Sequence, residues 1–285
     1  MRSLAFVLIA LHTVTVQDSA AGKALGFIRS NIEKTRLNSG SPFGHATYAI
    51  AGLAMLACGI SPEDAQVQKA AGVIEAFVNK TYEDASKDKF QSNWILGFGG
   101  LFFAEMAARG RRNDAVMKKI VELLENHQTK DGGWGHQKAP TTLIKGYPDT
   151  FFAPTNWCAA ALGALKRQSI AVNPQTIDRV IKLFETGQAA DGGYEYDPFR
   201  DKKRGEAGRT GAAVFAMALL DRKESPAFKR AVDYLKANMA QVPDGHSSPP
   251  MHIMSAALAM AAVGDSNAFS VSLGRLCQET ARSRL

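Results

Sequence analysis

Two kinds of apolar segment alternate along the chain. In the first, apolar residues recur at i, i+3 and i+4 with polar residues between them, as in residues 22–34, 65–79, 120–127, 180–187 and 225–240. That spacing puts one apolar stripe on a helix. In the second, residues 48–56, 94–108, 157–165, 210–220 and 251–262, polar interruptions are few. A helix without a polar face is buried on most sides. No Val/Ile/Thr-rich alternation long enough for a sheet appears, so the pattern predicts an all-α fold of about five helix pairs, each an outer amphipathic helix followed by an inner apolar one. Pro62, Pro174 and Pro226 fall at or before helix starts, and Asn173 and Ser225 read as N-caps.

Two of the outer helices run into the same turn. IVELLENHQTKDGGW (120–134) and VIKLFETGQAADGGY (180–194) align without a gap, matching Gln128, Asp131, Gly132, Gly133 and Trp134 to Gln188, Asp191, Gly192, Gly193 and Tyr194. The first glycine of each pair suits the positive φ that ends a helix, and each Asp can accept from nearby backbone amides. Trp134 and Tyr194 are expected to fold back as apolar pins, and Gln128 and Gln188 to bridge to backbone groups of a neighbouring helix. Stacked helix pairs make either an open solenoid or a closed ring. The repeat alone does not choose between them.

At the N-terminus, Arg2, the apolar run Leu4–Leu11 and the small residues Ser19–Ala21 read as a signal peptide cut after Ala21; the other reading is a buried first helix. The first reading makes the protein secreted or periplasmic. It divides the chain into a leader (1–21), a helical domain (22–263) and a C-terminal tail (264–285). No stretch is long and apolar enough for a membrane span. A net charge of +7 is too diffuse to name a partner. The basic runs Arg109, Arg111, Arg112 and Lys202, Lys203, Arg204 lack interleaved aromatics, so they read as solvated loops and no nucleic-acid partner is expected. Cys58, Cys158 and Cys277 are too few and too far apart for a disulfide framework.

The segment Gln128-x-x-Asp-Gly-Gly-Trp134 after an apolar helix resembles the QW repeat of squalene and oxidosqualene cyclases and of protein prenyltransferase β subunits. Gln188 to Tyr194 is a second copy with Tyr in place of Trp. The resemblance implies an α/α toroid, and residues 205–264 look most like secreted bacterial members of that superfamily without an assigned reaction. About five pairs would leave such a ring incomplete or gapped. The chemistry of the named enzymes is not carried over. DxDD, which holds the acid that starts cyclisation, is absent, with Asp149 the nearest remnant. The Asp-x-Cys of the prenyltransferase zinc site and the DDxxD diphosphate clamp are absent too.

Three Gly-His pairs lie in or near loops before inner helices, and His45, His136 and His246 could converge on zinc; the other reading is turn histidines that cap neighbouring helices. Tyr48, Trp94, Asn156, Trp157, Arg209 and His252 lie at or near inner-helix starts, where they could line a pocket with Arg209 clamping a carboxylate or phosphate. Otherwise they are caps and core, with Arg209 paired to an acid such as Glu206. Asp149, beside Phe151 and Phe152, is a candidate general acid. The expected function is ligand or partner binding in a central cavity or at its rim, by a small molecule, lipid or glycan, with self-association through an uncovered edge. The alternative is an enzyme, either a divergent cyclase or prenyltransferase or a hydrolase or lyase on the same fold. A long apolar pocket would favour an isoprenoid, and a shallow polar rim a carbohydrate or metal.

Overall fold

The computed structural model describes residues 20–34, 44–80, 91–138, 149–199, 204–244 and 249–265. Among these residues are ten α-helices and no strand, so the fold is all-α as predicted. They are α1 (Ala20–Asn31), α2 (Gly44–Ala57), α3 (Ala65–Lys80), α4 (Ser92–Ala108), α5 (Asp114–His127), α6 (Phe152–Arg167), α7 (Pro174–Gly187), α8 (Ala207–Leu219), α9 (Pro226–Ala237) and α10 (Pro249–Val263). The proposed leader lies almost wholly outside the described residues, as does the tail beyond Asp265.

The even-numbered helices are the apolar ones, and they pack in chain order: α2 on α4, α4 on α6, α6 on α8 and α8 on α10. Among the described residues no comparable interface returns from α10 to α2. Small residues let the inner backbones approach closely. A Cβ on Gly97 would lie 3.0 Å from the Trp157 backbone, one on Gly163 2.8 Å from Leu219, and one on Gly211 2.9 Å from Ala256. Phe98, Trp157 and Phe215 fill the space between α4, α6 and α8, with ring centroids 4.7 Å and 6.4 Å apart.

Each inner helix ends in the same way. Gly59, Gly110, Ser169, Asp221 and Gly264 take positive φ. The next amide then donates to a carbonyl five residues back: Ile60 to Met55, Arg111 to Met106, Ile170 to Leu165, Arg222 to Met217 and Asp265 to Met260. This is the Schellman closure, which satisfies carbonyls that the helix end leaves bare. In the first four repeats a short turn leads directly to the next outer helix. The sequence suggests pairing each outer helix with the inner helix after it, yet α3 packs chiefly on the preceding α2, α5 on α4 and α9 on α8. Short turns hold those neighbours together, whereas the segments 128–151 and 188–206 are long. Asn113, Asn173 and Ser225 cap α5, α7 and α9 by accepting from Val116, Gln175 and Phe228 amides.

The two repeat motifs form one joint made twice. Gln128 Nε2 donates to the carbonyls of Gly132 (2.8 Å) and Thr176 (2.9 Å), and Gln188 Nε2 to those of Gly192 and Ala227 (both 2.8 Å). Thr176 and Ala227 lie in the first turns of the next outer helices, α7 and α9. Gly132 and Gly192 both have φ +92°, and a Cβ there would strike the carbonyls of Arg179 and Arg230 at 2.5 and 2.8 Å. Trp134 and Tyr194 are fully buried, as expected of pins. Each also donates back to the helix before it, Trp134 Nε1 to Leu124 O (2.8 Å) and Tyr194 Oη to Phe184 O (3.0 Å).

Candidate functional site at the N-terminal ends of the inner helices

The loops that follow the motifs reach back to the inner helices. The carbonyl of His136 accepts from the Asn93 amide at the start of α4, and the carbonyl of Tyr196 from the Phe152 amide at the start of α6. His136 and Tyr196 each stand two residues beyond the motif aromatic, so they are equivalent positions of the two repeats. Asn93 is fully buried. It holds the first loop by donating Nδ2 to the carbonyls of Gly135 (2.9 Å) and Gln137 (3.0 Å). Its Oδ1 lies 2.7 Å from Nδ1 of His127, the last residue of α5. Burial first, and Lys138 second, drive the His127 pKa down to about 3, so His127 is neutral and Nδ1–H donates.

The side chains of the two loops meet. Trp94 Nε1 donates to His136 Nδ1 at 2.8 Å, and His136 Nε2 lies 2.6 Å from Tyr196 Oη. An indole N–H can only donate, so Nδ1 must be the acceptor and the proton sits on Nε2, pointing at the phenol oxygen. Burial lowers the His136 pKa and keeps the ring in this neutral form. Phe151 packs on both rings, with centroids 5.3 Å from His136 and 4.6 Å from Tyr196.

The row continues onto α8 and α10. The Arg209 guanidinium lies 4.9 Å from the centre of the Tyr196 ring, a cation–π contact. Arg209 Nη1 donates to Glu206 Oε2 at 2.9 Å, and Glu206 Oε1 is 3.3 Å from His252 Nε2. Burial pulls the Arg209 pKa down while Glu206 and Tyr196 oppose it. Arg209 and His252 are buried, whereas His136, Tyr196 and Glu206 are half-buried and meet solvent. Of the predicted pocket residues, Trp94, Arg209 and His252 therefore join one continuous arrangement. Asn156 and Trp157 are buried beside it: Asn156 Nδ2 donates to the Arg209 carbonyl at 3.1 Å, and Trp157 is core. Tyr48 is buried in α2.

His45 packs against Phe77, its pKa lowered by burial, and His246 lies outside the described residues. Among the described residues no group of three His, Cys, Asp or Glu side chains is placed to hold a metal ion. A zinc site at His136 would require it to release Trp94 or Tyr196. Asp149 is half-buried, its carbonyl against Gly135. In the first basic run Arg111 and Arg112 are exposed and pair with Glu63 and Asp114, whereas Arg109 is half-buried and pairs with the fully buried Glu105 rather than lying in a solvated loop; Lys202 and Lys203 lie outside the described residues. A separate open groove of about 640 Å³ lies along the outside of the second joint, lined by Asp191, Arg204, Arg230, Asp233, Tyr234 and Gln241 among others.

Tyr196 is the site residue that the sequence reading passes over. Extending the repeat alignment by two residues pairs it with His136. Residues 25–282 match the DUF6288 family, described as a domain of unknown function, and the chain belongs to that family. No curated protein matches the chain. No described helix is long and apolar enough to cross a membrane.

Proposed function

We propose that this chain is a glycan-binding protein of the α/α-toroid type, with its ligand lying across the N-terminal ends of α4, α6 and α8. The observation that carries the reading is the row Trp94, His136, Tyr196, Arg209, Glu206, in which half-buried rings adjoin a guanidinium and a carboxylate. Sugars offer C–H faces to aromatic rings and hydroxyls that both donate and accept, so this mixture suits them. An isoprenoid chain would need room between the inner helices, which Phe98, Trp157 and Phe215 fill. The toroid relationship is supported by the doubled Gln-x-x-Asp-Gly-Gly-aromatic joint, and export by Arg2, Leu4–Leu11 and Ala21.

Titration of the protein with cellohexaose, chitohexaose, xylohexaose and an oligogalacturonate, followed by tryptophan fluorescence, tests the reading, because Trp94 reports on the site. A saturable change with one of these sugars, abolished by Tyr196→Ala in a folded variant, is the expected result. Silence with all four sugars, together with a response to farnesol or to lipid vesicles, would overturn it.

A further inference from the structure

We propose that Tyr196 Oη is the acceptor this site presents to a hydroxyl of the bound ligand, held by its neighbours so that it ionises more readily than an ordinary tyrosine. Its role as acceptor toward a ligand hydroxyl rests on the glycan-binding reading; its ionisation does not.

The geometry fixes the direction of each hydrogen bond. Trp94 Nε1 can only donate, so it locks His136 with Nδ1 bare and Nε2 protonated. His136 Nε2–H therefore always points at Tyr196 Oη, 2.6 Å away. A phenol oxygen that accepts an N–H bond is stabilised further when it ionises, and so is one with a cation beside it. The Arg209 guanidinium supplies that cation, 4.9 Å from the ring centre. Protonation of His136 would set two N–H groups against each other at Trp94, so the donor stays neutral and does not compete for the charge.

Ionisation is opposed by the half-burial of Tyr196 itself, by Glu206 at the N-cap of α8 and by Glu195 beside Tyr196 in sequence. Glu206 is already compensated by Arg209 at 2.9 Å and faces His252 at 3.3 Å. The N–H bond made to the oxygen itself and the guanidinium over the ring face act at closer range than that compensated carboxylate. Phe151 contributes an apolar wall and no charge. In the bound state Tyr196 Oη accepts a hydrogen bond from a ligand hydroxyl, and the O–H bond of the ligand stays intact.

The test is a pH titration of tyrosinate formation by near-ultraviolet difference spectroscopy on the full chain. Tyr194 and Tyr234 are both pushed upward by burial, Tyr234 to about 12, so neither contributes to an early phase, and the Tyr196→Phe comparison assigns that phase among the six tyrosines. The expected result is one phenolate per chain forming at least about one pH unit below an ordinary tyrosine, a roughly tenfold loss of proton affinity. That phase disappears in Tyr196→Phe. Should the variant not fold by circular dichroism, the Cζ resonance of Tyr196 in the unaltered protein, identified by its proximity to the His136 ring, gives the same answer.

Absence of an early phase in the folded protein, or its survival in folded Tyr196→Phe, would overturn the proposal. Repeating the titration with the four oligosaccharides separates the two readings. A sugar that binds shifts the early phase. If the phase stands and none of them moves it, the glycan reading fails and the ionisation stands.

Discussion

Arg179 sets its Nε 2.8 Å and its Nη2 2.5 Å from Oε1 of Gln128, so an outer helix grips the turn that ends the outer helix before it. Arg230 grips Gln188 in the same way one repeat later. The two joints differ in exposure: Gln188 is buried and Gln128 only half so. Removing the buried amide takes the side-chain donor from the Gly192 carbonyl and the acceptor from Arg230, while the Ala227 carbonyl keeps its bond within α9. Gln188→Ala is expected to lower stability by about 2 kcal/mol and Gln128→Ala by about half that, read by denaturant unfolding. Equal effects at the two sites would show that burial does not govern the joint.

Close approach of the inner helices makes their glycines intolerant. Gly163→Ala would place a methyl 2.8 Å from the Leu219 backbone, which cannot give way as a side-chain tip can. A loss of about 1–3 kcal/mol is expected. Gly72, in the middle of α3, meets nothing within 4 Å. There Ala should raise stability by up to about 1 kcal/mol through helix propensity. Thermal melts of the two variants should move in opposite directions.

His127 gives the fold an acid weakness. Its folded pKa of about 3 lies below the ordinary value of 6.5. Between those values the unfolded chain binds the extra proton, so stability falls as pH drops from about 6.5 towards 3. His127→Asn keeps a donor for Asn93 Oδ1 and removes the titration. The slope of stability against pH across that window should flatten in the variant. An unchanged slope would assign the acid loss to other groups, His45 and His136 first among them, whose pKa values burial also lowers.

Asn93 is the clamp of the first rim loop. Asn93→Ala removes both donors to the carbonyls of Gly135 and Gln137 and the acceptor of His127. Nitrogen-15 spectra should show His136 as the Nε2–H tautomer in the unaltered protein and a mixture of tautomers in the variant. A stability loss of about 2–4 kcal/mol should accompany it, since a buried charge-free network is broken at its centre.

The helical class and the alternation of polar and apolar helices were legible because burial writes itself into every third or fourth residue. The joint was also legible, since Gln128, Gly132 and Trp134 each have a demand that few residue types meet. The packing order was not. Which inner helix an outer helix prefers depends on turn length and closure geometry, and Ser169 and Asp221 take positive φ without being glycine. The rim was half legible. Trp94, Arg209 and His252 stand at helix starts, where repeats align, whereas the Tyr196 contact to His136 comes from two loops meeting across sixty residues of chain. His136 looked like a metal ligand because sequence cannot show that both its nitrogens are engaged.

Each motif fastens the chain in two directions. Gln128 reaches forward to Thr176 on α7, and eight residues later the carbonyl of His136 reaches back to Asn93 on α4. Gln188 and Tyr196 do the same for α9 and α6. A stack of repeats joined only to nearest neighbours can fray from its ends one unit at a time. Here the middle repeats overlap like roof tiles, each pinned under one neighbour and over the other, so a single repeat cannot lift without loosening both. Unfolding across α4 to α9 should therefore be one event, with the stacked order of the sequence leaving no trace in the melt.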